Sequence, residues 1–357
     1  MGAEERGCSQ PGYGTAALIR RTTVLLRVAR WIGFALLAAT VLVVGTWCAI
    51  AVWFRYAGGN LVRGALAATI AVLAMATVTS LVTSRRRLAF TVYAGVIAVV
   101  FAWWSTIRPS NDREWAPDVA RNATATIDND HLVVHNVRNF NWRSDQDFDQ
   151  RWEQRSYDLL QLHDVDLILS YWSGEAIAHL IVSFGFDDGE RLDFSIETRK
   201  ERGEEYSPIA GFFKQYELVI IAADERDIVR VRSYVRGEDV RIYRLRMPPE
   251  YARRLLQEYI DDVNDLSREP RWYNTASSNC TTLVFGMVHK LRPGLPLDYR
   301  ILLSGYLPNY AYDVGATDTS IPFEQLRAFS RIHDNAVQAD GDPDYSRLIR
   351  VGIPVPY

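Results

Sequence analysis

Three unbroken apolar runs dominate the first third of the chain: Trp31 to Phe54, Gly64 to Thr83 and Leu88 to Trp104, of 24, 20 and 17 uncharged residues. About 20 apolar residues span a bilayer core, so the pattern predicts three transmembrane helices, the third at the short limit. Trp31, Trp53, Trp103 and Trp104 stand at run ends, where interfacial rings belong. Gly64, Ala67, Ala68 and Ala71 put small residues at four-residue spacing on the second span, which predicts close helix packing there. More spans follow the first run and no small-residue cleavage site ends it, so it does not read as a cleaved signal peptide.

Beyond Trp104 the pattern shortens. Asn111 to Ala120 reads as a connecting segment. Asp130 to Val137, Val165 to Trp172, Ile177 to Phe186, Arg191 to Glu197, Tyr216 to Ala222, Ile228 to Val235 and Val240 to Met247 are rich in Val, Ile, Tyr and Phe and predict strands. Asp147 to Gln161 is polar and aromatic and predicts a loop with a short helix. Pro249 to Asp265 predicts a helix with Leu255, Leu256, Tyr259, Ile260 and Val263 on one face. Leu283, Val284, Met287, Val288 and Leu291 form the face of another. A Pro- and Gly-rich tail follows, with a short helix near Arg300. Strands followed by helices predict an α+β domain, an antiparallel sheet with helices.

Charge divides the chain. Residues 1–108 hold eleven Arg and two acidic residues, while 109–357 hold 29 basic and 41 acidic residues, a balance of -12 within an overall -3. Arg20, Arg21, Arg27 and Arg30 precede the first span, and Arg85, Arg86 and Arg87 join the second to the third. The positive-inside rule then puts the N-terminus in the cytoplasm and the remainder beyond the bacterial inner membrane, in the periplasm. The predicted organisation is a cytoplasmic N-terminus over 1–30, a membrane domain over 31–108 and a periplasmic domain over 109–357. The acidic exported domain argues against nucleic-acid binding. Cys8 has no apolar run before it and does not read as a lipidation site.

Cys48 lies inside a span, so Cys280 is the lone cysteine of the exported domain. Ser278 or Asn279 would cap the following helix and set Cys280 in its first turn. Unsatisfied N–H groups and the helix dipole favour a thiolate there. The bland alternative is a small buried apolar residue. Among the histidines, His179 stands out as one imidazole in an apolar strand; a hydrogen-bonded core histidine is its bland alternative. Asp187-Asp188-Gly189 predicts a three-residue hairpin loop with Gly189 in the left-handed conformation. Pairing Phe186 with Glu190 then sets Ser195 opposite Ile181 and Glu197 opposite His179 on one face. A two-residue loop would slip the register and send Glu197 to the other face. Cys280, His179 and Glu197 thus make a candidate nucleophile, base and orienting carboxylate. Ser195 is an auxiliary to His179, and Asn279 with the Cys280 N–H an oxyanion site. Tyr273, Asn274 and Arg199 are pocket candidates; with Glu201, Asp224, Glu225 and Arg226 they could equally form ion pairs and turns. No spacing of His, Cys, Asp and Glu predicts a metal site, and no cofactor is implied.

The run Ile177 to Phe186, with Phe194 to Glu201, Ala223 to Asp227 and Tyr273 through Thr282, resembles the Lnb N-terminal periplasmic domain family. The resemblance covers most of residues 110–320. It implies a circularly permuted papain-like fold, with the histidine strand before the cysteine helix, and an association with lipoprotein N-acylation. It further implies Cys280 as nucleophile and His179 as base. The expected mechanism is acyl transfer through a Cys280 thioester, and a membrane-tethered domain suits a membrane lipid or lipoprotein as substrate. The alternatives are a cell-wall peptidase or amidase of NlpC type and a non-catalytic membrane-anchored envelope scaffold.

Overall fold

The computed structural model describes residues 13–356, with side chains from 24 onward. Cys8 and the first part of the expected cytoplasmic segment lie outside the described residues. The chain divides into two units, 1–108 and 109–357.

The first unit holds helices α1 (Tyr13–Arg55), α2 (Asn60–Ser80) and α3 (Arg86–Thr106). All three are long and apolar enough to cross a membrane. Their packing differs from expectation: Ala68 and Ala71 are exposed, and the buried stripe of α2 is Ile70, Ala74, Thr77 and Ser80. The close approach lies one turn further on. A Cβ added to Gly45 of α1 would stand 2.7 Å from the Ala74 Cβ. Tyr93 of α3 donates to the Val41 carbonyl at 2.7 Å, giving its hydroxyl a partner inside the apolar bundle.

The second unit opens with β1 (Thr124–Asp128), β2 (His131–Arg138) and a small ribbon, β3 (Asn141–Trp142) with β4 (Phe148–Asp149). Strands β5 (Trp152–Asp158), β6 (Leu162–Tyr171), β7 (Ala178–Phe186), β8 (Arg191–Arg199) and β9 (Glu217–Ala223) follow. Helix α4 (Glu225–Arg230) runs on into a π-helical turn, Val231–Val235, before β10 (Asp239–Arg244). Two longer helices come next, α5 (Pro249–Arg268) and α6 (Cys280–Leu291). Short helices α7 (Leu307–Asp313), α8 (Phe323–Phe329), α9 (His333–Gln338) and α10 (Tyr345–Leu348) end the described chain.

The main sheet runs β1-β2-β9-β8-β7-β6-β10, with β5 paired to β2. It is mixed, not wholly antiparallel, because Arg138 of β2 pairs in parallel with Ala223 of β9. β1 covers β2 only as far as His135, and β5 occupies the other edge. Past a bulge at Asn136, whose φ is +58°, the vacated edge is open to β9. The segment Asp147 to Gln161, expected as a loop with a short helix, forms β4, β5 and a single 3-10 turn. Ile228 to Val235, expected as a strand, is helical.

Each face of the sheet is covered. Ile168, Ile181, Val219 and Ile221 pack against Ile228 and Val229 of α4, Ala336 of α9 and Tyr345 of α10. Phe184 and Phe194, of opposite parity, pack against Tyr259 of α5, whose buried stripe reads Leu255, Leu256, Tyr259, Ile260, Val263. A buried ion network ties the ends of the domain together. Asp166 of β6 accepts from Arg191 Nη1 at 2.9 Å, Arg244 Nε at 2.5 Å and Arg350 Nε at 2.7 Å. Arg350 also donates to Glu225 Oε2 at 2.7 Å. Burial would push the Asp166 carboxyl up, but the three arginines hold it below its usual range.

Candidate active site

The β7–β8 hairpin closes through Asp187, Asp188 and Gly189. Phe186 N–H donates to Glu190 O at 3.1 Å, Gly189 N–H donates to Phe186 O at 2.9 Å, and Gly189 has φ +86°. Register runs from Gly185↔Arg191 to Ile181↔Ser195, and one more step of the pleat brings Glu197 to His179. The side chains follow. His179 Nε2 lies 2.6 Å from Ser195 Oγ and 3.2 Å from Glu197 Oε1. Ser195 Oγ donates to Glu197 Oε1 at 2.7 Å, so the serine oxygen is left to accept from Nε2–H. With Nε2 turned to Ser195 and Glu197, the nitrogen left for a thiol is Nδ1.

Asn279 starts the cysteine helix. Its side-chain oxygen accepts from Thr281 and Thr282 N–H, both at 2.9 Å, and Thr282 Oγ1 accepts from Asn279 N–H at 3.0 Å, closing a reciprocal capping box. Its amide nitrogen, expected at an oxyanion site, donates to Thr275 O at 2.7 Å and so holds the loop with one of its two N–H groups. Cys280 is the first helical residue, with Thr281 Oγ1 3.8 Å from its sulfur. Burial would push its thiol up; the hydrogen bond and charge of His179, then the Leu180 N–H and Thr281, bring it below its ordinary range. His179 responds in the other direction. Burial alone would lower it, but the Glu197 carboxylate beside it raises it to about 9, with Arg232 opposing and Cys280 assisting. Glu197 is held well below the carboxylate range, chiefly by His179 and Arg232 against the effect of burial. The arrangement thus favours a thiolate facing an imidazolium, with a carboxylate behind it.

Arg232 is the member that the sequence reading missed. Its Nη2 donates to Glu197 Oε1 at 2.8 Å, and its Nη1 donates to Ile228 O at 2.9 Å. The π-helical turn carries it, and such turns recur at functional sites. One turn earlier Asp227 anchors this helix: it accepts from Arg138 twice, at 2.9 and 3.1 Å, from Phe140 N–H at 2.8 Å and from Trp142 Nε1 at 2.7 Å.

The other candidates divide. Tyr273 is buried, and its hydroxyl is pushed up by burial and by the neighbouring Cys280. Asn274 does not face the thiol; its side-chain oxygen accepts from Ala276 N, Ser277 N and Ser277 Oγ and shapes the loop. Arg199 leaves the pocket altogether: it donates to Val119 O, Asn111 Oδ1 and Ala120 O and lies 4.4 Å over the Trp115 ring. Glu201 pairs with Arg113, and Asp224 caps α4 while holding Arg155 and Arg226. No group of His, Cys, Asp and Glu among the described residues could hold a metal ion. A groove of about 550 Å³ lies elsewhere, lined by Asn139, Arg226, Arg230 and Tyr345, and touches none of the thiol-site residues.

His179, Ser195, Glu197, Arg232 and Cys280 thus meet from one hairpin, one helical turn and one helix start. Residues 148–305 match the model of the Lnb N-terminal periplasmic domain family. The matched span takes in all five, from β4 to the turn after Tyr299–Ile301, and the resemblance read from the sequence is shown over that span. Helices α7 to α10 and Arg350 lie outside it. No curated protein and no solved structure matches the chain.

Proposed function

We propose that this protein is a membrane-anchored thiol acyltransferase whose domain faces the periplasm of a bacterial cell. The observation that supports this reading is Cys280 at a capped helix start, facing a histidine whose far nitrogen is held by Ser195 and Glu197. The Cys280 thiolate attacks the carbonyl carbon of a lipid ester and forms a C–S bond. The C–O bond breaks, and the leaving alkoxide takes the proton from His179. An amine then attacks the thioester, His179 accepts its proton, and the C–S bond breaks to release an amide and the thiolate. The Cys280 N–H, which the Asn279 side chain does not take, would serve as an oxyanion donor. Histidine strand before cysteine helix suits a circularly permuted papain-type site. The amine of a lipoprotein N-terminus fits the acceptor that the family resemblance implies.

The test is intact-mass spectrometry of the purified chain after incubation with phospholipid vesicles. An acyl adduct on the wild type, absent from Cys280→Ser and discharged by a lipid-bearing N-terminal cysteine peptide to give its amide, is the expected result. Discharge to free fatty acid alone would make the protein a hydrolase. No adduct with any phospholipid and no amide formed would overturn the reading.

A further inference from the structure

Three features of the second unit converge on one end of its sheet. The first is where the chain enters. Ser110 N–H donates to Glu217 Oε1 at 3.2 Å, Arg113 pairs with Glu201 at 2.6 Å and Glu217 at 2.9 Å, and Ala116 N–H donates to Lys200 O at 2.9 Å. These partners lie at the end of β8 and the start of β9. The same end carries His179 at the start of β7 and Glu197 near the end of β8. The second feature is the connector: Ile107 and Arg108 alone separate α3 from the second unit, roughly 7 Å of extended chain.

The third is apolar exposure. The β8–β9 connection leaves from this end and presents Ile209, 58% exposed, and Phe212. Its backbone is tied to the loop that leads into Cys280, with Thr275 Oγ1 donating to Pro208 O at 2.9 Å. The segment after α6 presents Leu297, 85% exposed, Tyr299, Leu302 and Leu303. It is tied to the other half of the site, because Ala178 N–H, beside His179, donates to Ser304 Oγ at 3.0 Å. Large apolar side chains left in water on both approaches to one site mark a surface that something covers. A two-residue tether to a membrane span keeps that end of the domain close to lipid.

We infer that Ile209, Phe212, Leu297, Tyr299, Leu302 and Leu303 insert into the bilayer interface and seat the mouth of the Cys280 site at headgroup level. Leu, Ile and Phe side chains supply the buried apolar area, and Tyr299 supplies an interfacial ring. The surface serves whichever molecule the thiol attacks.

The experiment uses the full chain with Cys8→Ser, Cys48→Ala and Cys280→Ser, reconstituted in phosphatidylethanolamine–phosphatidylglycerol vesicles. A single cysteine is introduced by Phe212→Cys, Leu302→Cys or Asp188→Cys and labelled with a nitroxide. Asp188, at the hairpin tip on the opposite end of the sheet, is the control. Because all three positions are exposed, the variants should unfold at the temperature of their parent. The oxygen-to-nickel collision ratio should be on the order of tenfold higher at 212 and 302 than at 188. Equal, aqueous ratios at all three would overturn the inference. So would spin–spin broadening at 212 and 302 that vanishes on dilution with unlabelled protein, which would make the face a contact between copies. The nucleophile is absent throughout, so the result stands or falls apart from the acyl chemistry.

Discussion

Ser195 shows how finely the site depends on single residues. It stands between His179 and Glu197, accepting from one and donating to the other, so the carboxylate reaches the imidazole both directly and through a hydroxyl. The sequence placed His179, Ser195 and Glu197 together through one Gly and a three-residue loop, because strand parity leaves no freedom once the turn is known. It read Asn279 as a helix cap, and the structure adds the bond from its amide to Thr275 O, which no sequence pattern announces. Activity should vanish in Cys280→Ser and in His179→Ala, and the double variant should be no slower than either single, as kcat/KM for amide formation would show. The thiolate–imidazolium pair sets a pH signature. His179, raised to about 9, stabilises the fold fully below its usual value of about 6.5 and loses that contribution as pH rises through 9. Cys280 is shifted the other way, toward the thiolate, by the same histidine. Iodoacetamide should therefore alkylate Cys280 at pH 7 on the order of tenfold faster in the wild type than in His179→Ala. Asp193 makes the opposite prediction. It is wholly buried with no cation among the described residues bonded to it, and burial beside Glu225 raises its carboxyl well above the usual range against the pull of Ser183, Arg350 and Arg191. A raised acid costs stability as pH climbs above its unfolded value near 4, so Asp193→Asn should raise the thermal midpoint more at pH 8 than at pH 5.

Among the elements, the apolar ones were legible and the polar ones were not. The amphipathic stripe of α5 and the apolar cores of β6, β7 and β9 left no ambiguity of period. β1, with its alternating Thr and Ala, and β5, a half-exposed edge strand, bury too little to announce themselves. The stretch Ile228 to Val235 misled for a physical reason. Its Val, Ile and Tyr side chains favour strands, but Asp224 caps a helix there and the buried Asp227 bonds Arg138, Phe140 and Trp142 around it. Tertiary contacts override local preference, and the wide turn then aims Arg232 at Glu197. Arg232 acts through Glu197, not on substrate. Arg232→Met removes the second partner of that carboxylate and should lower kcat more than it raises KM. It should also shift the alkaline limb of the pH profile upward, because His179 loses an opposing charge. An unchanged profile would reduce Arg232 to packing.

At the scale of the whole molecule two bodies with opposite charge balance and different hydrophobic periods share the chain, and the break between its two compact units falls after Arg108. Orientation is open to a direct check. A reporter fused after Pro109 should be active only outside the cytoplasm, and one fused within Arg85 to Arg87 only inside. What pattern could not reveal is the pairing of residues far apart in sequence. Arg350 bonds Asp166, 184 positions earlier, and Glu225, 125 positions earlier. Both acids are buried, so Arg350→Met should cost about 3–5 kcal/mol in denaturant unfolding, the penalty of stranding a buried charge. The pairing also sets an order of events during synthesis. A chain delivered N-terminus first has made the β7–β8 hairpin and the Cys280 helix long before Arg350 emerges. Until then Asp166 and Glu225 lack their shared cation. The thiol site is thus assembled within a domain that locks only when one of its last arginines arrives, and a nascent chain halted short of it should remain protease-sensitive.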